Sequence, residues 1–167
     1  MTGARHAGLS RLWGRLYGYA LSLVSDEERA CDLVQETAVR ALRARRVPSD
    51  EAAYRAWLFV ILRNVVLDEL RRSRREPEPP PPAVDIWRSD ETRIAKITVE
   101  QALSALPMHQ RDVIALVDIA GFSYSEAASL LEVPVGTVMS RVARARRALL
   151  SIIDSSTVHP LHRRHGK

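Results

Sequence analysis

The stretch from Val138 to Leu149 carries residue types whose spacing can recognise nucleic acid. At about 100° per residue, Val138, Val142, Ala145 and Leu149 fall on one stripe of a helix. Ser140, Ala143, Arg144 and Arg147 fall roughly opposite, with Arg141 and Arg146 on the flanks. Such a helix packs along one side and offers arginines and small residues on the other. Small residues admit a helix to a major groove, and guanidinium groups reach guanine edges or phosphates. The same pattern on an isolated surface helix is only a solvated basic face. Here a turn comes with it, which favours DNA.

The elements that must position this helix lie just before it. Ser123 or Ser125, with Glu126 close behind, starts a short helix whose apolar face is Ala127, Ala128, Leu130 and Leu131. Pro134 cannot continue that helix but suits the turn or the first position of the next. Gly136 permits close approach or unusual backbone angles, and Thr137 can cap the helix or contact a phosphate. The pair reads as a helix-turn-helix whose second helix reads DNA.

The remaining chain predicts helices throughout. It has 167 residues, a net charge of +5, few aromatics, scarce glycine, and abundant alanine, leucine and arginine. The charge suits a polyanionic partner without identifying one. Cys31 stands alone, which excludes an intrachain disulfide and a cysteine-based structural zinc site. Its expected role is a small packed residue, with a redox sensor as the alternative. No long apolar run and no signal-peptide pattern occur, so no membrane insertion is expected and the cytoplasm is the expected location.

Residues 1–8 read as a loose leader. Leu12, Leu16, Tyr19, Ala20 and Leu23 then predict one buried helix side. Asp26 is placed to cap a second helix, buried along Ala30, Leu33, Val34, Thr37, Ala38, Ala41 and Leu42. Asp32, Gln35, Glu36, Val39 and Arg43 occupy much of its other side, which by itself is ordinary solvated surface. Ser49 or Asp50 caps a third helix, from about Glu51 to Arg72. Its dense apolar set (Trp57, Leu58, Val60, Ile61, Leu62, Val65, Val66, Leu70) makes it central to a bundle. It also carries Tyr54, Arg55, Arg63, Asn64 and Asp68 and ends in Arg71 and Arg72 among further arginines. Aromatics interleaved with arginines stack on unpaired bases while neutralising phosphates. From spacing alone, the reading of Trp57 as core is the favoured one.

The run EPEPPPP at 76–82 ends this helix and favours an extended segment. The expected organisation is a helical domain over 9–76, a linker over 77–93, a second helical domain over 94–154 and a basic tail over 155–167. In the second domain, Ile94, Ile97, Val99, Ala102, Leu103 and Leu106 predict a helix stopped by Pro107. Met108–Ala120 predicts another, with Val113, Ile114, Leu116 and Val117 buried and Gly121 at its end. His159, His162 and His165 lack the further ligands of a tetrahedral site, so no metal is expected there. The fold class is all-α: two small helical domains joined by a proline-rich linker, the second containing the helix-turn-helix.

These motifs, in this order, resemble an extracytoplasmic-function (group IV) sigma factor of bacterial RNA polymerase. DLVQETAVRALR (Asp32–Arg43) is similar to the family's polymerase-binding helix, and AWLFVILRNVVLDELRR (Ala56–Arg72) to its promoter-melting helix. LSALPMHQRDVIAL (Leu103–Leu116) and GFSYSEAASLLEVPVGTVMSRVARARRAL (Gly121–Leu149) resemble its second module. The resemblance implies that Asp32, Gln35 and Glu36 face the clamp helices of the polymerase's largest subunit. It implies that the second module meets the flap of the second-largest subunit. Tyr54, Trp57, Arg63, Asn64, Arg71 and Arg72 would then serve the −10 element as single strand, with the loop near Val47–Glu51 receiving a flipped base. Ser140 and Arg144 would face bases of the duplex −35 element, with Thr137, Arg141 and Arg146 on its backbone. Met139 stands where many members carry a basic residue, which alters the expected promoter read. The linker would thread toward the RNA exit path, and an anti-sigma factor would hold the protein inactive.

The implied mechanism is binding, with no catalytic residue and no cofactor. Extruded bases and backbone contacts offset the cost of unstacking. Two rivals remain at this level. A stand-alone helix-turn-helix regulator would need a dimerisation helix, and none is evident. A nucleic-acid enzyme such as a recombinase would need a catalytic domain before the linker, where the sequence is all-helical and lacks a phosphate loop.

Overall fold

The computed structural model describes residues 2–75 and 99–157, with side chains over 7–75 and 99–154. Among them, no strand occurs. The expected linker over 77–93 and the histidines of the tail lie outside the described residues.

The first module is three helices: α1 (Thr2–Val24), α2 (Glu27–Arg43) and α3 (Glu51–Arg75). α1 begins earlier than the sequence suggests, so the expected leader over 1–8 is corrected to helix from Thr2. Packing explains it. Gly8 is buried, and a Cβ there would sit 2.8 Å from the Tyr54 ring, so the start of α1 lies directly on the start of α3. α1 closes on Ser25 in the left-handed region, φ 56°. Asp26 caps α2 as expected, its carboxylate accepting from the Arg29 amide at 2.9 Å. Glu27 and Glu28 at the start of α2, and Arg40 and Arg43 at its end, complement the helix dipole. Asp50 caps α3 by accepting from the Ala53 amide at 2.8 Å. α3 runs past the expected Arg72 to Arg75, its final turn rich in arginine, which the carbonyl end of a helix favours.

The second module begins, within the described residues, with helix α4 over 99–104. α5 (Met108–Ile114) continues into a π-helical turn, Ala115–Ile119, where one regular helix to Ala120 was expected. Its wider ring closes through the Ala120 amide on the Ala115 carbonyl at 2.9 Å. Gly121 then takes φ +75°, which a glycine adopts without steric cost. α6 (Tyr124–Leu131) starts in a complete capping box: Ser123 Oγ accepts from the Glu126 amide and Glu126 accepts from the Ser123 amide. The turn to α7 (Val135–Thr157) uses left-handed Glu132, φ 56°, and not Gly136, which lies inside α7 in open space.

Burial follows the expected stripes with a few departures. Leu16, Tyr19, Ala20, Leu23, Ala30, Val34, Leu58, Leu62 and Val66 are buried, while Leu42, Val60 and Val99 lie at the surface. A main core draws apolar residues from both modules, and a second, smaller cluster of Leu106, Ile114 and Ala145 lies within the second module. Tyr19 meets Phe59 edge-on at 5.5 Å between ring centres, and Phe59 meets Phe122 of the second module in the same way at 4.9 Å. α1 passes so close to the π-turn that a Cβ on Gly18 would lie 2.8 Å from Ile119 Cγ2.

One carboxylate is buried in this joint. Asp112 is 4% exposed, accepting from the Tyr19 hydroxyl at 2.7 Å and from Arg63 Nε at 2.9 Å. Burial, and then the negative charge and hydrogen bond of Asp112, raise the Tyr19 pKa well above its ordinary 10.0. The folded state therefore keeps a proton that the unfolded chain releases, so stability falls as pH rises above that value. In equilibrium unfolding, wild-type protein should lose stability above about pH 10, and Tyr19→Phe should lose less there. At neutral pH, Tyr19→Phe should cost about 1–3 kcal/mol, because Asp112 then keeps one bond fewer.

Candidate nucleic-acid and polymerase interfaces

α7 is held by its apolar stripe. Val138, Val142 and Ala145 are essentially fully buried against α5 and α6, and Leu149 is half-buried. The opposite face is bare: Ser140, Ala143, Arg144 and Arg147 are exposed, as is Met139, at 52%. Thr137 and Arg141 are half-buried at its margins. Arg144 lies back along the helix, its Nε on the Ser140 carbonyl at 3.2 Å and its guanidinium on Ser140 Oγ at 3.3 Å. This puts the two expected base-facing residues in one unit. Arg146 is instead engaged by Asp118 of the π-turn, through bonds of 3.1 and 2.5 Å. That carboxylate makes Arg146 hold its proton more tightly than usual.

α3 presents a second surface. At about 100° per residue, Tyr54, Trp57, Asn64, Arg71 and Arg72 lie within one broad stripe. Tyr54 and Trp57 are half-buried neighbours, 5.8 Å between ring centres, so Trp57 is neither plain core nor free surface. Asn64 is exposed. Arg71 pairs with Asp68 at 3.0 Å and Arg72 with Glu69. Arg63 stands apart from this stripe: it faces the second module and ends on Asp112. Tyr54 also borders a cleft of about 480 Å³ lined by Arg11, Arg15, Asp50 and Arg55, beside the loop expected to take a flipped base. Arg11 and Arg15, four residues apart on α1, were not anticipated. Their spacing, on the side away from Leu9 and Leu16, is the signal that could have found them.

The third surface is α2. Asp32, Gln35 and Glu36 are all exposed on one side. Gln35 donates to Cys31 Sγ at 3.4 Å, and Glu36 holds Arg40 at 2.8 Å. Asp32 and Glu36 edge a groove of about 500 Å³ between α2 and α3, floored by Leu33 and Val65 and rimmed by Arg29, Arg40 and Arg72. Among the described residues no cluster of histidine, cysteine and carboxylate suits a metal ion, and no helix is long and apolar enough to cross a membrane.

Residues 10–76 match the model of sigma-70 region 2, and residues 96–149 that of sigma-70 region 4. The chain is 39% identical over 142 residues to the ECF RNA polymerase sigma factor EcfG of Rhodopseudomonas palustris, covering 83% of this chain and 78% of that one. It is 38% identical over 136 residues to a probable RNA polymerase sigma-C factor of Mycobacterium bovis, covering 78% and 74%. Among solved structures it is similar to CnrH in complex with the cytosolic domain of CnrY, with a TM-score of 0.73, 30% identity, and 94% and 92% of the two chains covered. It is also similar to the sigma factor RpoE in complex with the anti-sigma factor NepR from Bartonella quintana, with a TM-score of 0.66, 31% identity, and 89% and 92% covered. The chain therefore belongs to the extracytoplasmic-function sigma factors of bacterial RNA polymerase, with regions 2 and 4 as its two helical modules.

Proposed function

We propose that this sigma factor divides promoter recognition between its modules, roughly 9–76 and 94–154, and acts by binding alone, in the cytoplasm. The observation that carries the reading is α7: a helix clamped by Val138, Val142 and Ala145, whose free face pairs Ser140 with Arg144 and is otherwise small or basic. On duplex DNA of the −35 element, Arg144 and Ser140 read base edges. Thr137, Arg141 and Arg146 hold the backbone, and Met139 adds an apolar contact. Gly136 leaves the start of α7 open for a phosphate to approach.

On the −10 element, Tyr54 and Trp57 offer ring faces to unstacked bases, Asn64 offers an amide, and Arg63, Arg71 and Arg72 neutralise the strand. No bond is made or broken by the protein. The energy for strand opening comes from contacts that exist only with extruded bases. Asp32, Gln35 and Glu36 on α2 supply the docking face for the polymerase clamp helices, while region 4 meets the flap. Control by an anti-sigma factor is supported by the two similar solved proteins: one is in complex with the anti-sigma factor NepR and the other with the cytosolic domain of CnrY.

Run-off transcription with bacterial core polymerase on a pool of promoter fragments tests the assignment. Initiation should depend on this protein. Arg144→Ala should lower −35-dependent initiation by roughly ten- to a hundredfold, the worth of a bidentate base contact. Arg141→Ala should weaken all sequences alike and reduce the salt slope of duplex binding by about one. Gln35→Ala should reduce capture of core polymerase while leaving duplex binding intact. A protein that selects a duplex site unaided but binds no core polymerase would retire the polymerase-docking face.

A further inference from the structure

α1 carries cations that its own helix does not balance. From Thr2 to Val24 it has no acidic residue, whereas α2 opens on Glu27 and Glu28 and pairs Glu36 with Arg40. Arg11 and Arg15 stand four residues apart on one side of α1, and both are exposed. Ala7 and Gly14 lie within about 60° of Arg11 around the helix. They are exposed too, and a Cβ on Gly14 would meet nothing. A basic ridge flanked by small residues leaves room for a bulky anionic chain. On a lone helix this would be ordinary solvated surface, but α1 is not alone here.

Arg11 and Arg15 form one wall of the cleft of about 480 Å³, and the start of α3 forms the other. The contact of Gly8 with the Tyr54 ring holds the two helices close. The other charged groups lining the cleft are engaged. Asp50 caps α3 through the Ala53 amide at 2.8 Å. Arg55 turns toward the second module, reaching Glu126 Oε1 at 2.6 Å and lying 4.2 Å from the centre of the Phe122 ring. Glu51 meets Arg11 at 3.3 Å, in a pair whose side chains are 67% and 80% exposed. Such a pair contributes little and yields to a stronger acceptor. Arg15 makes no ion pair among the described residues. Tyr54 belongs to both surfaces: its ring heads the aromatic and basic stripe of α3 and also borders the cleft. A strand that stacks on Tyr54 therefore meets the basic wall of α1 next.

We propose that α1 is a further DNA-binding element: Arg11 and Arg15 hold phosphates of the promoter single strand where it leaves Tyr54 and crosses the cleft. The proposal rests on the assignment of α3 to the −10 strand and extends that track onto a second helix. These contacts position the strand and carry no base preference.

The test measures, over a range of salt, how the complex of this chain with core polymerase binds a fluorescent single-stranded oligonucleotide. The oligonucleotide is the non-template strand of an active promoter across the −10 element and its flanks. Each arginine that neutralises a phosphate of a single strand adds about 0.7 to the slope of log affinity against log salt. Arg11→Ala with Arg15→Ala should therefore lower that slope by about 1.4, whatever the flanking sequence. Neither side chain is buried, so the variant should melt as wild type does. Arg11→Lys with Arg15→Lys should keep the wild-type slope, because a phosphate accepts lysine as a point charge. Trimming the oligonucleotide from the end that lies at Tyr54 should erase the difference between the alanine variant and wild type, and trimming from the other end should leave it. A wild-type slope in the alanine variant, or a difference that outlasts trimming from either end, would overturn the α1 contact. Tyr54→Ala and Arg71→Ala separate the two levels of the assignment. If they weaken binding while the α1 variant does not, only the α1 contact falls. If they too bind as wild type, the −10 assignment of α3 has failed, and the α1 contact falls with it.

Discussion

A carboxylate buried between two helical modules sets the terms for the rest of this molecule. Asp112 is almost wholly withdrawn from solvent, and an isolated charge there would be costly. It is tolerated because Tyr19 and Arg63, both from the first module, supply a neutral and a charged donor at 2.7 and 2.9 Å. Neither donor is available unless α1, α3 and α5 meet. The apolar contacts around it, Tyr19 on Phe59 and Phe59 on Phe122, carry little orientation preference beyond ring geometry. The polar triad therefore adds orientation to a joint whose attraction comes from burying apolar side chains.

Within that frame the three surfaces use different physics. α7 is fixed about its own axis, because its buried stripe turns one set of side chains outward. α2 is a charged face, beside a groove whose floor is apolar, suited to another helix. α3 serves two masters: its inner side builds the core through Leu58, Phe59, Leu62 and Val66, and its outer stripe carries aromatics and arginines. That dual duty explains why its sequence reads as almost uniformly apolar and basic, with little of the polar alternation that marks an ordinary surface helix.

Local features were legible in the sequence because they are local. Asp26 and Gly121 act within a few residues of themselves, and their chemistry is the same in any fold; the starts at Asp50 and Ser123 were each legible only as one of two neighbours, Ser49 or Asp50 and Ser123 or Ser125. The stripes of α2 and α7 were legible because a helix repeats them. The family, too, was written in the order of its motifs, and family models matched along the chain agree with that order. What could not be read were contacts across long separations. Asp112 meets Tyr19 across 93 positions and Arg63 across 49, and no pattern near any of them announces the meeting. Gly18 reads as a weak helix residue until Ile119 is seen above it. The early start of α1 was hidden for the same reason, since Tyr54 on a distant helix is what covers Gly8. The π-turn was equally silent: its sequence, Ala115–Ile119, would suit a regular helix.

The pairing of Arg55 and Arg63 with internal carboxylates also bears on where the free protein spends its time. A chain with a net charge of +5 moves among genomic DNA in vast excess over any promoter. A cation already paired from within must first give up its carboxylate before it can release a counterion from a phosphate, and so adds less to sequence-blind attraction. With Arg146 also held by Asp118, the chain keeps part of its basic character in reserve. Sequence-blind binding to chromosomal DNA is weakened by that share.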